Sequence, residues 1–542
     1  MRHYKGFFLA LSMLMATMPA ALLFARENID TRMIDRMRQE GFERSQIMDL
    51  VWHLADVYGP RLANSPSYNQ AAQWAKTKFQ EFGAENVALH PFAGRGGMPW
   101  ECTFSSVTMQ TPQFMPLIAY AVPHTRGTNG RVKSKAVLVN TQELFSEADL
   151  QRYRGALRGK IVLSAPEVPI KPDFMPRAWR LSREALDSMA ELEIIQKPPM
   201  LALAPEESRA LQKGNVPRPA LSAEKVHKFF ENEGVAVLVS PSRHSVKGPL
   251  WGPYDKGIVE IGEVHPVPLG GHEPLPQVTM AAEHYNRLLR LLGEGFDVEM
   301  EIEIRATFHQ DDLQDYNVIA EIPGTDLKDE IVMIGAHLDG MPAGTGAADN
   351  AAGAAMVMEA IRILKAVGAR PRRTIRAALW GSHEIGRLGS SAYIKKHFFD
   401  SETQTRLPEY DKLSVYFNSD YYGRILGVYL HGNDLVRPIF EAWMKPFKDI
   451  GMTHLVPGNS GGSDHMGFID AGLAAFKWIN DPIEYFTTIH HTNMDLYDRI
   501  VPEDLMQAAV INACWAYLAA MRDEMMPRTP DQRKNNRRWH PI

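Results

Sequence analysis

Short apolar runs alternate with helical periodicity along the second half of the chain. From Tyr316 onward, strand-like runs at 331–337, 374–380, 413–418, 425–430 and 474–478 are separated by helical patterns over 350–366, 389–397, 436–446 and 502–522. Strands and helices in alternation predict a mixed, mostly parallel α/β sheet with helices on both faces. The first 130 residues read differently. Helical periodicity runs through 28–83, strongest at 45–54 and 67–82, with a turn starting Tyr58-Gly59-Pro60-Arg61-Leu62. Residues 86–125 are strand-like, with Pro and Gly breaks. Between these regions, strands are expected at 135–140, 159–164 and 234–240 and helices at 181–212 and 281–292, followed by a strand-forming stretch, 296–308.

A chain of 542 residues is too long for one ordinary domain. The texture divides it into a leader at 1–25, the first part of a main domain at 26–129, and an insert at 130–290 with a small core of its own. The rest of the main domain follows at 291–527, then a basic, loosely held tail at 528–542. The leader has a basic start, an uncharged stretch from Gly6 to Phe24, and Ala25 as a small residue at its end. It reads as a cleaved export signal, with a retained N-terminal anchor as the alternative, so the mature protein is expected to be periplasmic or extracellular. No other run is long and apolar enough to span a bilayer. A net charge of -5 gives no pull toward nucleic acid or acidic membranes. Two cysteines, Cys102 and Cys514, argue against a disulfide scaffold and against a metal site built from thiolates; a bridge between them stays open.

The chemistry gathers around IVMIGAHLDGMPAGTGAADN at 331–350. A buried strand ends in His337-Leu338-Asp339, a Gly-rich loop follows, and Asp349 stands at a helix start. Open α/β sheets bind ligands at the carboxyl ends of their strands. Other polar residues fall at similar ends: His383-Glu384 after Trp380, Asp420 after the 413–418 strand, and His490-His491. Imidazole and carboxylate are the ligands zinc accepts in catalytic sites. Two ions sharing a carboxylate can bind a carbonyl oxygen and activate water together.

In order, the motifs are His337-x-Asp339 with Asp349, Trp380-Gly381-Ser382-His383-Glu384-Ile385-Gly386-Arg387-Leu388-Gly389-Ser390, Asn418-Ser419-Asp420, Ser463-Asp464-His465, and His491-Thr492 with Asp495. This series resembles the co-catalytic di-zinc exopeptidases of the aminopeptidase Y and plasma glutamate carboxypeptidase type. The 130–290 segment resembles the small β-rich protease-associated domain that many members carry, through 136–140, 159–163 and 234–238. The resemblance implies a peptidase core at 291–527, two Zn²⁺ per chain and a peptide substrate. His337 and Asp420 would hold one ion, Glu384 and His491 the other, and Asp349 would bridge them. Asp339 would orient His337 from behind.

One position departs from that pattern. The residue before the Glu ligand is normally a second Glu acting as general base, and here it is His383. Three readings stand: His383 takes the proton from the attacking water, it is an extra ligand or substrate contact, or the site binds zinc and hydrolyses poorly. An imidazole with its ordinary pKa near 6.5 suits the first. His490, before the ligand His491, is placed either to stabilise the oxyanion or to pack at the rim. His465 either lines the substrate pocket or is a hydrogen-bonded structural residue. Asp349 fits a helix N-cap as well as a bridge, and Asp311, Asp312 and Asp315 read as a solvated loop. The expected activity is hydrolysis at a peptide terminus or in small peptides, aminopeptidase first. A dipeptidase, a carboxypeptidase, another amide hydrolase or a zinc-binding pseudopeptidase are the rivals.

Overall fold

The computed structural model describes residues 27–94, 98–170, 174, 176–191, 221–242, 257–261, 271–310 and 313–530. The leader, most of the 181–212 helix and the end of the tail lie outside them. Among the described residues no helix is long and apolar enough to cross a membrane.

An eight-stranded sheet carries the main domain, in the order Glu85–Ala93, Gln314–Ile322, Arg373–Trp380, Leu327–His337, Leu413–Asn418, Ala475–Asn480, Ile425–Tyr429 and His454–Val456. Its centre is parallel, with His337 opposite Trp380, Gly335 opposite Asn418, and Asn418 opposite Lys477. Antiparallel pairs flank that centre on both sides, so the sheet is mixed. The central strands are apolar on both faces, as expected of strands covered twice. Val332, Ile334 and Ala336 join one core with the Ala352–Ala366 and Pro502–Met521 helices, while Ile331 and Met333 join another with residues of Leu388–His397 and His465–Asp470. The Ala-rich sequences of the two long helices let them lie flat on the sheet and on each other, which leaves both almost wholly buried.

The second sheet reaches wider than 130–290. It also has eight strands, and it recruits Trp100–Thr111, Met115–Pro116, Ala119–Ala121 and Glu299–Phe308 from the sequence on either side. The reason lies in the pairing: Val132–Leu138 bonds to Glu299–Phe308, which in turn pairs along its whole length with Trp100–Thr111. Helices Ala223–Glu233 and Ala282–Gly293 pack on this sheet, so it is not purely β.

Two local expectations are corrected. Asp315 is not solvated: it is fully buried and accepts a hydrogen bond from the Ser382 hydroxyl. The tail is docked at its start, where Arg528 lies 4.9 Å from the Tyr410 ring centroid and donates to the Tyr410 and Leu413 carbonyls. Both cysteines are free thiols.

Candidate metal centre

The parallel register delivers the polar residues to one rim. His337 ends its strand, His383-Glu384 follows Trp380 on the neighbour, and Asp420 follows Asn418 on the other neighbour. The Gly-rich loop at 340–346 folds tightly over the end of the 327–337 strand. A Cβ on Gly344 would meet the Thr492 carbonyl at 2.6 Å and that of Asp495 at 2.7 Å, so only glycine lets this loop pack on the segment that carries His491. Asp349 is not an N-cap. The helix starts at Ala352 with Ala351 before it, and the cap-like acceptor for the Gly353 N–H is the Asn350 side chain at 3.1 Å; the Asp349 backbone, at φ/ψ -122°/86°, lies outside the helix. The Asp349 carboxylate is thereby left facing the histidines.

Those side chains converge. His337 Nε2 is 3.2 Å from Asp420 Oδ1 and 3.3 Å from Asp349 Oδ1. On the other side of Asp349, Oδ2 lies 3.5 Å from His491 Nε2, which is 3.2 Å from Glu384 Oε2. Asp349 therefore stands between the pair His337/Asp420 and the pair Glu384/His491. Three overlapping groups have ligand atoms within 4.8 Å of one another: His337, His383 and Asp420; His337, Asp349 and Glu384; Asp349, His490 and His491.

The electrostatics ask for cations. Burial opposes charge on His337, yet Asp339, Asp349 and Asp420 hold its pKa well above the ordinary value. Burial likewise opposes charge on His491, and Glu384 with Asp349 raises its pKa to about 9. Burial disfavours ionised Asp349 and Asp420; His337 lowers the first, and Lys477 with His337 lowers the second well below the usual carboxylate range. Glu384 Oε1 is buried with no hydrogen-bond partner. Carboxylates this deep in the protein, with a vacant acceptor among them, match a donor set built to hold divalent metal.

The surrounding residues do more than the sequence suggested. The Asp339 carboxylate takes the His383 N–H at 3.1 Å and the Glu384 N–H at 3.0 Å, so it holds the 383–384 loop in place. The partner of His337 Nδ1 is the Asp339 main-chain carbonyl at 3.0 Å, whereas the carboxylate is 3.6 Å away. His383 stacks on His337 with ring centroids 3.9 Å apart, and its Nδ1 bonds Asp464 Oδ2 at 2.9 Å. His490 stacks on His491 at 3.7 Å and is partly exposed. His465 is fully buried, bonded to the Ser460 carbonyl at 2.9 Å, and outside the three ligand groups. Asp464, Lys477 and Arg61 were missed as site residues. Asp464 lay within a motif, but nothing local marks Lys477 or Arg61, whose partners are distant in sequence.

Comparison with known proteins agrees with this geometry. Residues 317–516 match the model of Peptidase family M28. That segment is similar to an M28 peptidase domain. It holds every residue of the three ligand groups. Carboxypeptidase Q of Bos taurus is 25% identical over 508 residues, covering 93% of this chain and 90% of that protein. Aminopeptidase YwaD of Bacillus subtilis is 30% identical over 207 residues, 37% of this chain and 43% of its own. A peptidase M28 precursor from Shewanella amazonensis shares the fold, with a TM-score of 0.61, 24% identity, and coverage of 92% of this chain and 98% of that one. The match to the M28 model and the ligand clusters together indicate metallopeptidase activity of the M28 type.

Proposed function

We propose that the protein is an exported di-zinc exopeptidase, with the aminopeptidase reading first. The observation that carries it is Asp349 standing between His337/Asp420 and Glu384/His491. In this reading His337 and Asp420 hold one zinc, Glu384 and His491 the other, and Asp349 is shared. When bound, the metal pair polarises the scissile carbonyl and acidifies the attacking water.

The chain's own residues supply the rest. His383 takes the proton from the attacking water and returns it to the leaving amine. Asp464 fixes that ring through Nδ1, which leaves Nε2 to exchange the proton. Ser390 donates to Asp464 in turn and keeps the carboxylate in place. His490, at the partly exposed edge of the site, donates to the developing oxyanion. Burial of the ligand carboxylates keeps bulk water away from them. The second sheet plays the part of a protease-associated module, and the leader directs export.

A second reading has one observation in its favour: His383 Nε2 or Nδ1 belongs to a ligand group with His337 and Asp420. The test is metal content by mass spectrometry beside hydrolysis of aminoacyl and dipeptide substrates, on the wild type and His383→Ala. Two zinc per chain, chelator-sensitive cleavage, and a variant that keeps both metals but loses turnover support the proposal. Metal loss in the variant makes His383 a ligand. Two zinc with no cleavage of any substrate makes the protein a pseudopeptidase.

A further inference from the structure

The second domain reaches into the metal centre. Residues 257–261 lie against the segment that carries His491, with Glu260 opposite Thr492 in an isolated antiparallel bridge. The Ile261 N–H donates to the His491 carbonyl at 3.0 Å, and the Asn493 N–H donates to the Val259 carbonyl at 3.0 Å. The Asn493 side chain completes the clasp, accepting from the Val259 N–H at 2.7 Å and donating to the Gly257 carbonyl at 3.2 Å.

Extended backbone sends successive side chains to opposite faces. Val259 and Ile261 are buried in an apolar cluster with Ala63, Met341 and Ile385. Glu260 therefore points the other way, and it is half-buried. Its N–H is held by the Ser242 hydroxyl oxygen at 2.9 Å, so the second domain fixes its backbone on one side and the metal-site loop on the other. Its charge reaches His491, adding to the effects of Glu384 and Asp349 against that of burial. Glu260 itself is in none of the ligand groups.

We propose that Glu260 receives the free α-ammonium group of the substrate, so that the second domain makes the enzyme read chains from the amino end. The inference rests on the exopeptidase reading and sharpens it. Two divalent ions carry four positive charges, against three negative ones on Asp349, Glu384 and Asp420. A substrate ammonium brought beside that centre is repelled unless a carboxylate outside the ligand set offsets it. Asp339, Asp464 and Asp495 are fully buried behind the ligands, whereas Glu260 is a half-buried carboxylate that a substrate can touch, and its backbone is tied to the residues that flank His491.

The test is binding by calorimetry to the metal-loaded full chain, using L-leucine hydroxamate and its N-acetyl derivative. The wild type is expected to favour the free amine by about tenfold or more, the range of a charge-assisted contact. Glu260→Gln is expected to bring the two ligands within about twofold, at unchanged metal content, and Glu260→Asp to keep part of the preference. An intact preference in Glu260→Gln, equal weakening of both ligands, metal loss in that variant, or no preference in the wild type overturns the assignment. Turnover separates the two ideas. A wild type that shows the preference but cleaves nothing removes the exopeptidase and leaves Glu260 its role. A wild type that cleaves while Glu260→Gln keeps the preference removes only the assignment.

Discussion

The carboxylate of Asp495 grips the backbone of Asp349. One oxygen accepts the Ala348 N–H at 2.6 Å and the other the Asp349 N–H at 3.0 Å. Asp349 cannot turn toward both histidine pairs unless its non-helical backbone is held, and Asp495 holds it. Burial, and then the charge of Asp349, raises the Asp495 pKa to about 7. Asp495→Asn offers an amide nitrogen where an acceptor is needed. It is expected to weaken metal retention by about 10–100-fold, the usual cost of losing such a support. Competition with a graded chelator measures this, and unchanged retention would show that the loop is held without Asp495.

Asp464 is the second support. It is fully buried, bonds His383 Nδ1 at 2.9 Å, and accepts from the Ser390 hydroxyl. An Asn in its place lets the imidazole adopt the other tautomer, with its proton on the nitrogen that should accept one. Asp464→Asn is expected to lower kcat by about 10²–10⁴-fold, the span of general-base catalysis, with both metals kept and KM little changed. A kcat within about twofold of wild type would remove His383 from proton transfer.

The main sheet was legible in the sequence because its strands are continuous apolar runs and its helices are periodic. Three candidate ligands were legible because they stand at or just past such a run, His337 at its end, Glu384 four residues and Asp420 two residues beyond; Asp349 and His491, more than ten residues past theirs, were placed by the motif series. What could not be read depends on contacts across the chain. The wider second sheet follows from Glu299–Phe308 pairing with Trp100–Thr111, strands separated by almost two hundred residues. Asp315 looked solvated beside Asp311 and Asp312 because its partner, Ser382, comes from another strand's loop. Asp339 was read as orienting His337 two residues away, while its carboxylate serves the backbone at 383–384. Asp349 and Asn350 both suit a helix start, and only the hydrogen bond from the Gly353 N–H tells that Asn350 supplies the acceptor.

His124 gives the region of the second sheet a pH dependence. It is 3% exposed, neither ring nitrogen has a hydrogen-bond partner, and burial lowers its pKa to about 4. The unfolded chain binds a proton near pH 6.5, so between about 4 and 6.5 the unfolded state holds more protons than the folded state. The contribution of neutral His124 is fully present above pH 6.5 and is lost as pH falls toward 4. A shift from 6.5 to about 4 corresponds to about 3 kcal/mol. Its φ of 57° suits asparagine, so His124→Asn is the variant to use. Urea unfolding at pH 7 and pH 4.5 should show a smaller loss of stability on acidification in the variant than in the wild type. Equal losses would mean that His124 is already protonated in the fold.

Arg61 ties the N-terminal helices to the metal-site loops. Its guanidinium is fully buried and donates to the carbonyls of Leu54, Gly59, Leu338, Thr345 and Gly346 at 2.5–2.9 Å. Burial lowers its pKa to about 10 against the charges of Asp495, Asp339 and Asp349, so it stays a cation at neutral pH behind the acidic centre. Only the planar fork of arginine reaches acceptors in so many directions; a lysine ammonium has three donors on one atom. Arg61→Met leaves those carbonyls unpaired in a dry interior, where each such loss costs about 1–3 kcal/mol. Because the losses share one relaxation they do not add, and about 3–5 kcal/mol is the expected total, as for a buried charge network that loses a partner. Arg61→Lys should recover only part of it. Urea unfolding gives the stability, and metal content of the fraction that stays folded tests the rest of the argument. If Arg61 positions the Gly-rich loop, that fraction binds metal weakly even well below the unfolding midpoint. If it retains metal like the wild type, Arg61 stabilises the fold and the loop is shaped by its glycines and Asp495 alone.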